Sequence, residues 1–162
     1  MRKKTYYDRI SSGYDKLYKE EQLNKLYIIL KFLHIKPNES VLDVGCGTNF
    51  CLDYIKSSRK VGIDPSIELL KKSYNSCVVG KAENLPFRSK SFDYVLCLTA
   101  IHNFDNPEKG LGEMLRVAKK MVIVSVLKRS PKAKHIEGII KNKCYVFHKA
   151  EEVKDTIFFI KP

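Results

Sequence analysis

Apolar and polar positions along the chain form two kinds of pattern, short apolar runs and longer amphipathic stretches. The first amphipathic stretch, residues 17–35, predicts a helix with one face in the core, made of Leu23, Leu26, Tyr27, Leu30 and Leu33. Short apolar runs follow and predict seven strands, at 41–44, 60–63, 77–80, 92–98, 121–127, 144–148 and 155–160.

Helices are predicted between these strands, at about 49–58, 66–74 and 107–119, with another after Ser130. Asn106-Pro107 and Ser130-Pro131 each place a capping side chain before a proline at the first helical position. Strand–helix alternation of this kind predicts a doubly wound α/β fold, with a mostly parallel sheet and helices on both faces. Ligands of such sheets bind beyond the carboxyl ends of the strands, so chemistry is expected in the residues that follow each strand.

Composition limits the class of protein. A chain of 162 residues is long enough for one domain with a single core, and residues 1–162 are taken as one domain. Five cysteines without a CxxC pair indicate reduced thiols in a cytoplasmic protein, with no metal site expected. The longest apolar run is too short to span a bilayer, and no apolar segment follows the basic start as in a secretory signal.

The net charge of +12 suits a polyanionic partner such as RNA, because basic side chains that neutralise phosphates release counterions. A proteome-wide bias toward lysine would produce the same excess without any such partner. Charge alone therefore leaves both explanations open.

The stretch VLDVGCGTNF is a predicted strand that runs into a glycine turn, where Gly45 and Gly47 would let a ligand approach the main chain. Asp64 ends the next strand about 20 residues later, which places its carboxylate to accept ribose hydroxyls. A dinucleotide site would require glycine at Phe50, and Asp43 would repel a diphosphate. The turn therefore favours a cationic nucleoside, S-adenosylmethionine (SAM), and an NAD oxidoreductase is the weakest interpretation.

Asn49 lies in the same turn. Asparagine is among the few residues that tolerate a left-handed backbone, and its side chain could also cap the following helix. The turn is expected to accept it.

Four segments, VLDVGCGTN, VGIDPS, GKAENLPFRSKSFDYVLCLTAIHNF and EMLRVAKK, occur in the order and spacing of class I SAM-dependent methyltransferases. Residues 5–128 resemble the type 11 branch, which contains ubiquinone/menaquinone C-methyltransferases and tRNA wobble-uridine carboxymethyl methyltransferases. The resemblance implies a Rossmann-like, seven-stranded doubly wound sheet, an N-terminal helical lid at 1–36 and a substrate-side basic segment at 128–143.

The resemblance also implies which residues hold SAM. They are Tyr14 in the lid (or else a core tyrosine), Asp43, Gly45, Cys46 and Gly47 at the methionine end, Asp64 and Pro65 at the ribose, Ala82 and Glu83 at the adenine, and Leu98 and Thr99 at the sulfonium. One departure is Lys81, which stands where the family often has an aspartate that binds the adenine amino group.

His102 is the candidate catalytic residue. A neutral imidazole there could remove a proton from the methyl acceptor, and the alternative is a loop histidine that only packs. The surrounding AIHNF is similar to a segment of the wobble-uridine enzymes, and it lacks the Asn/Asp-Pro-Pro-Tyr signature of enzymes that methylate exocyclic or amide nitrogens.

Two features bear on the acceptor and on partners. The basic segment 128–143 would bind RNA phosphates, unless it is merely a solvated helix face. The apolar strand Ser76–Gly80 would be a sheet edge open to a small activator subunit. The favoured function is methyl transfer from SAM to RNA, with tRNA as the leading class. Small-molecule O- or C-methylation and a noncatalytic RNA- or partner-binding subunit remain as alternatives.

Overall fold

The computed structural model describes residues 14–162, and side chains from residue 17 onward. Its helices are α1 (Tyr14–Phe32), α2 (Ile67–Leu70), α3 (Pro107–Val117) and α4 (Ala133–Lys143). Its strands are β1 (Ser40–Val44), β2 (Arg59–Asp64), β3 (Cys77–Val79), β4 (Phe92–Leu98), β5 (Ala118–Leu127), β6 (Tyr145–Glu151) and β7 (Asp155–Lys161). Short 3₁₀ helices occupy Phe50–Tyr54, Ala82–Asn84 and Ile101–Asn103.

All seven strands join one sheet in the order β3-β2-β1-β4-β5-β7-β6. The pairs from β3 across to β5 are parallel, whereas β7 runs antiparallel between β5 and β6. The chain reverses its direction of travel across the sheet between β1 and β4, so the carboxyl ends of these two strands border a crevice where ligands bind in such folds. The predicted fold class is confirmed.

The hydrophobic core lies in two layers, one on each face of the sheet. One layer packs β-strand side chains against α3 and α4, and the other packs them against α1 and Phe50–Tyr54. The central strand β1 is buried along its whole length, and so is most of β5. Both strands are apolar along most of their length, which is why they were predicted as strands, although β5 already begins at Ala118, where the end of a helix was predicted.

Two helices are shorter than predicted. The stretch predicted as a helix over 49–58 forms only the 3₁₀ helix Phe50–Tyr54, because Lys60 Nζ donates to the carbonyl oxygens of Leu52 and Ile55. The stretch predicted over 66–74 is helical only as Ile67–Leu70, since Ser73 bonds through its hydroxyl to the Asn75 main chain instead. In both places a side chain competes with the helical hydrogen bonds of the main chain.

The predicted core face of the first helix is confirmed in part: Leu26 and Leu33 are buried, and Leu23 and Leu30 pack against the core. Tyr27, predicted in the core, is 61% exposed, and the fully or nearly buried positions are Gln22, Lys25, Leu26, Ile29 and Leu33. The prediction was wrong for Tyr27 alone, and it missed Gln22 and Lys25 because it assigned every polar residue of this helix to solvent. The residues that Gln22 and Lys25 contact lie far away along the chain.

The two predicted proline-initiated helices also differ in outcome. Asn106 caps α3, with its side chain accepting a hydrogen bond from the Lys109 N–H at 3.0 Å, as predicted. The helix expected to start at Pro131 begins instead at Ala133, because the Ser130 hydroxyl accepts from the Lys132 N–H and forms a turn before it. Within residues 14–162, no helix has both the length and the apolar character needed to cross a membrane.

Candidate functional site

The carboxyl ends of β1, β2 and β4 bring together most of the residues predicted from the sequence. The glycine turn follows β1, and its Gly45 and Cys46 N–H groups both donate to the Ile63 carbonyl on β2, at 2.8 and 3.2 Å. Gly45 and Gly47 have φ angles of 73° and 56°, a left-handed conformation that most residues with a side chain adopt only under strain. The turn is therefore a rigid backbone surface at the crevice.

The glycine turn also packs against the loop after β4. A Cβ atom placed on Gly45 would lie 2.4 Å from the Ala100 Cβ, so no side chain can be accommodated there. This contact joins the two halves of the crevice, because Ala100 directly follows Thr99 at the end of β4.

Asp64 connects the end of β2 to the glycine turn. Its carboxylate is 8% exposed, and it accepts one hydrogen bond from the Gly47 N–H at 2.9 Å and another from the Ser66 N–H at 2.8 Å. Burial raises its pKa, and the two N–H donors oppose that rise. A carboxylate oxygen accepts more than one hydrogen bond, so the geometry leaves Asp64 able to bind a ribose hydroxyl as well.

Asp43 is the most perturbed acid of the site. It is 3% exposed, and burial raises its pKa to about 7, with the negative charge of Asp64 as the second cause. Among the described residues no side chain forms an ion pair with Asp43 or Asp64. Two neighbouring buried acids without a counter-charge favour a cationic ligand and disfavour a diphosphate. This arrangement fits the sulfonium nucleoside SAM.

Asn49 adopts the left-handed conformation expected of it, with a φ angle of 63°, and its side chain is fully buried. Its amide donates to the Ser73 hydroxyl and to the Ser76 carbonyl, at 3.1 and 3.3 Å. The predicted capping role was wrong, because the side chain makes no hydrogen bond to the following 3₁₀ helix. Asn49 instead ties the turn to the segment before β3.

The other residues predicted around the ribose, the adenine and the sulfonium lie at the same edge of the sheet in several different environments. Ala82 is buried, Pro65 is exposed, and Leu98 is packed into the core layer of α1. Glu83 accepts a hydrogen bond from the Asn106 N–H at 3.0 Å, at the start of α3. Their contacts with SAM remain predictions.

Lys81, the departure from the family pattern, forms an exposed ion pair with Asp105 at 2.6 Å. The side chain of Tyr14 and the part of the predicted lid that precedes it lie outside the described residues. Their proposed role at the methionine end of SAM stays a prediction.

His102 lies in the 3₁₀ helix Ile101–Asn103, just after β4, and is half-buried. Its Nδ1 atom is buried and has no hydrogen-bond partner among the described residues. Burial lowers the pKa of His102, the charges of Lys132 and Lys25 lower it further, and the charge of Asp155 opposes them. The imidazole is therefore neutral at pH 7 and able to accept a proton.

A buried polar cluster beside Thr99 was not foreseen from the sequence. The Thr99 hydroxyl lies within hydrogen-bond distance of four side chains from α1, β5 and β7: Gln22, Lys25, Ser125 and Asp155. We call these five residues the anchor cluster. The helical spacing of Gln22 and Lys25 with the buried leucines could have indicated an inward face, but no local pattern pairs them with Asp155.

The basic segment 128–143 divides into two groups. Lys128, Lys141 and Lys143 form ion pairs with Glu151, Glu137 and Glu108, respectively. Arg129, Lys132 and Lys134 are exposed, and no carboxylate of the described residues pairs with them. Lys132 Nζ donates to the Phe104 carbonyl at 3.4 Å, which places this second group near the loop after β4.

Strand β3 is an edge of the described sheet, as expected, since it pairs only with β2. Cys77 and Val79 are exposed on it, Val79 to 50%. This short strand therefore offers free main-chain groups beside an apolar side chain.

Comparison with protein families matches residues 42–126 to the family described as "Methyltransferase domain", which is about half of the chain. An uncharacterized protein of Methanocaldococcus jannaschii, MJ1252, is 38% identical over 120 residues, or 72% of this chain and 47% of its own length. The chain spans about half to three-fifths of the length of the first curated relatives it matches.

Two named classes of methyltransferase occur among the relatives. The demethylmenaquinone methyltransferase of Staphylococcus haemolyticus is 31% identical, over 78% of this chain and 60% of its own length. The human protein named probable tRNA methyltransferase 9B is 29% identical, over 54% of this chain and 20% of its own length.

A similar fold occurs in a Haloferax volcanii protein solved in complex with the Trm112 methyltransferase activator. The TM-score is 0.72 at 21% identity, over 86% of this chain and 76% of that one.

Proposed function

The chain belongs to the methyltransferase-domain family of SAM-dependent enzymes, and on that premise we propose that it transfers a methyl group from SAM to RNA, with tRNA as the leading class. The observation that carries the cofactor assignment is the pair Asp43 and Asp64, two buried acids without a counter-charge at the glycine turn. SAM would supply the methyl group already activated, on a sulfonium that is a good leaving group.

The protein's own contribution is mainly to bind and to orient. Asp64 would hold the ribose, and Asp43 would compensate the positive charge of the ligand in a site of low dielectric constant. The turn and Ala100 fix the width of the crevice. Correct alignment of two reactants can lower a barrier by about 7–11 kcal/mol, so such a site requires few catalytic side chains.

His102 is the residue we assign to proton transfer. Its lowered pKa keeps the imidazole unprotonated at pH 7, so one ring nitrogen can act as a base. At the end of β4 it would accept the proton that the methylated atom releases.

RNA as the acceptor is supported by the unpaired basic residues at the start of α4. Arg129, Lys132 and Lys134 lie on the same side of the sheet as the loop after β4, where phosphates could be held near the methyl donor. A human relative carries the name of a tRNA methyltransferase. The net charge of +12 also supports a polyanionic acceptor such as RNA.

We also propose one domain over residues 1–162, with a lid formed by residues 1–36 and a cytoplasmic location. A small activator subunit would add a strand to the exposed edge β3, by main-chain hydrogen bonds and contact with Val79. Substitution of Val79 by Lys should abolish co-purification with a co-expressed Trm112-type activator. Equal recovery with the wild-type chain would remove β3 as the docking strand.

The test of function is transfer of labelled methyl from SAM into fractionated cell extract. We expect label in the RNA fraction that is lost on ribonuclease treatment and retained after protease treatment. Label in a protein fraction would overturn the RNA assignment.

The second candidate acceptor is a small molecule, which the similarity to a demethylmenaquinone methyltransferase supports. In the same experiment it would appear as label in organic-soluble or low-mass material that resists both nuclease and protease. Binding of SAM without any transfer would favour the noncatalytic subunit.

A further inference from the structure

A buried ion pair joins helix α1 to the start of β7, directly beside the crevice. The side chains of Lys25 and Asp155 are 1% and 0% exposed, and Lys25 Nζ lies 3.1 Å from Asp155 Oδ1. The Thr99 hydroxyl lies between them, accepting a hydrogen bond from Lys25 Nζ at 2.5 Å and donating one to Asp155 Oδ2 at 2.9 Å. Each of the three groups, the ammonium, the carboxylate and the hydroxyl, therefore contacts the other two.

Stability alone does not account for this pair. Two charges lose their hydration on burial, and well-packed apolar side chains of similar volume are often at least as stabilising. A buried pair of this kind does, however, fix one arrangement of the elements that carry it. Here those elements are α1 and β7, and the atom they hold in common belongs to Thr99.

Thr99 needs such support, because its backbone conformation is unfavourable. Its φ angle is 52°, in the left-handed region that β-branched residues avoid. Its N–H donates to the Ser125 hydroxyl at 2.7 Å, so main chain and side chain are both held. Strained conformations persist where the surroundings over-determine them, and they concentrate at functional sites.

The anchor cluster acts on the crevice through two short routes. Ala100 follows Thr99 and contacts the glycine turn at Gly45, so the position of Thr99 sets the spacing between the two walls. The charges of Lys25 and Asp155 also reach His102, with opposite effects on its protonation. Removing either charge would leave an uncompensated ion beside the crevice.

We infer that Lys25 and Asp155 are positioning residues for the methyl-transfer end of the site. Their pair holds Thr99 and keeps that end electrically neutral, so that the acids Asp43 and Asp64 set the preference for the sulfonium of SAM over the uncharged thioether left after transfer. The inference rests on the proposed function, and it assigns to this polar cluster a role in discriminating methyl donor from product.

Its test is the ratio of the dissociation constants for SAM and S-adenosylhomocysteine, measured by calorimetry at pH 8. Lys25→Met leaves the negative charge of Asp155 unpaired, so the ratio should shift about fivefold in favour of SAM. Asp155→Asn leaves the positive charge of Lys25 unpaired, so the ratio should shift by a similar factor in favour of S-adenosylhomocysteine. A purely structural role would weaken both ligands equally. Lys149→Met, which breaks an exposed pair with Glu151, is the matched control and should leave the ratio unchanged.

The double variant Lys25→Met/Asp155→Leu keeps the test open if the single variants fail to fold, because it replaces the ion pair by an apolar one. It should retain the wild-type ratio, while amide hydrogen exchange across residues 99–103 becomes about tenfold faster or more. Unchanged exchange in the folded double variant, or single-variant ratios that are unchanged or shift in the same direction, would overturn the inference. If the wild-type protein binds neither ligand, the proposed function fails, and amide exchange alone decides the positioning role.

Discussion

The crevice has two ends that are built in different ways. The glycine-turn end consists of Gly45, Gly47 and Asp64, which fall within residues 45–64 and are held by hydrogen bonds that main-chain N–H groups donate. The methyl-transfer end consists of Thr99 and the side chains around it. Their hydrogen bonds join residues that are separated by 26 to 77 positions along the chain. One end is fixed by backbone geometry and the other by long-range side-chain contacts.

This difference predicts how each end responds to mutation. A backbone-defined end should tolerate changes in most side chains and fail when a glycine is replaced. An end defined by side chains should depend on the charges that those side chains carry.

The largest effect is expected from Gly45→Val at the backbone-defined end. A β-branched residue would meet the Ala100 Cβ and would also be strained at a φ angle of 73°, so SAM affinity should fall on the order of 100-fold. Calorimetry on the folded variant, checked by circular dichroism, measures this loss. Gly112→Ala is the matched control, because at that helical position no atom beyond the adjacent residues and the helix's own backbone lies within 4 Å of a Cβ. Similar affinity in both variants would contradict the assignment of the turn.

The next effect is expected from Asp64→Ala. It removes the proposed ribose acceptor as well as the partner of the Gly47 and Ser66 N–H groups, so SAM binding should weaken by about 1–3 kcal/mol. The exposed acid Asp53 offers a control at little distance in sequence, since within residues 17–162 its carboxylate bonds to the Asn75 amide and to no other side chain. Equal losses in Asp64→Ala and Asp53→Ala would show that Asp64 does not contact the ligand.

A pH dependence should follow from Asp43, whose pKa in the free protein is about 7 instead of 3.8. A cationic ligand favours the ionised carboxylate, so SAM affinity should rise with pH, by up to about tenfold per unit below pH 7, and level off above it. The folded free protein holds this proton more tightly than the unfolded chain, so its stability should fall between about pH 4 and 7.

Asp43→Asn should abolish both trends, with weaker SAM binding and no loss of stability from this group in that pH range. Calorimetry across pH 5.5–8.5 and thermal unfolding of the free protein measure them. An affinity that does not change with pH in the wild type would argue against an ionising acid at the cofactor.

The smallest effect is expected on binding of the proposed methyl acceptor, tRNA. Reversal of Arg129, Lys132 and Lys134 to Glu should weaken tRNA binding and reduce its salt slope by up to about 3, because each residue is expected to neutralise about one phosphate. The matched triple variant changes Lys128, Lys141 and Lys143, which form ion pairs with nearby glutamates, and it should have a smaller effect. Equal salt slopes for the two triple variants, measured with unfractionated tRNA, would contradict a specific role for the first group.

The sequence predicts the glycine-turn end well and the other end poorly, for physical reasons. Asp43, Gly45 and Asp64 belong to patterns of fixed spacing, and the strands around them are apolar on both faces. Lys25 and Asp155 carry no such signal, because the sequence around a buried lysine does not differ from that around an exposed lysine unless its partner is known. The 3₁₀ helix Phe50–Tyr54 was predicted as a longer helix for a related reason, since Lys60 ends it from the next strand.

The most direct test of the account is a calorimetric titration of the protein with SAM, and separately with NAD. The pair Asp43 and Asp64 predicts saturable SAM binding well below millimolar concentration, strengthening from pH 6 to pH 7.5, and no comparable binding of the negatively charged NAD. Binding of NAD in preference to SAM, or no SAM binding below millimolar concentration, would contradict it.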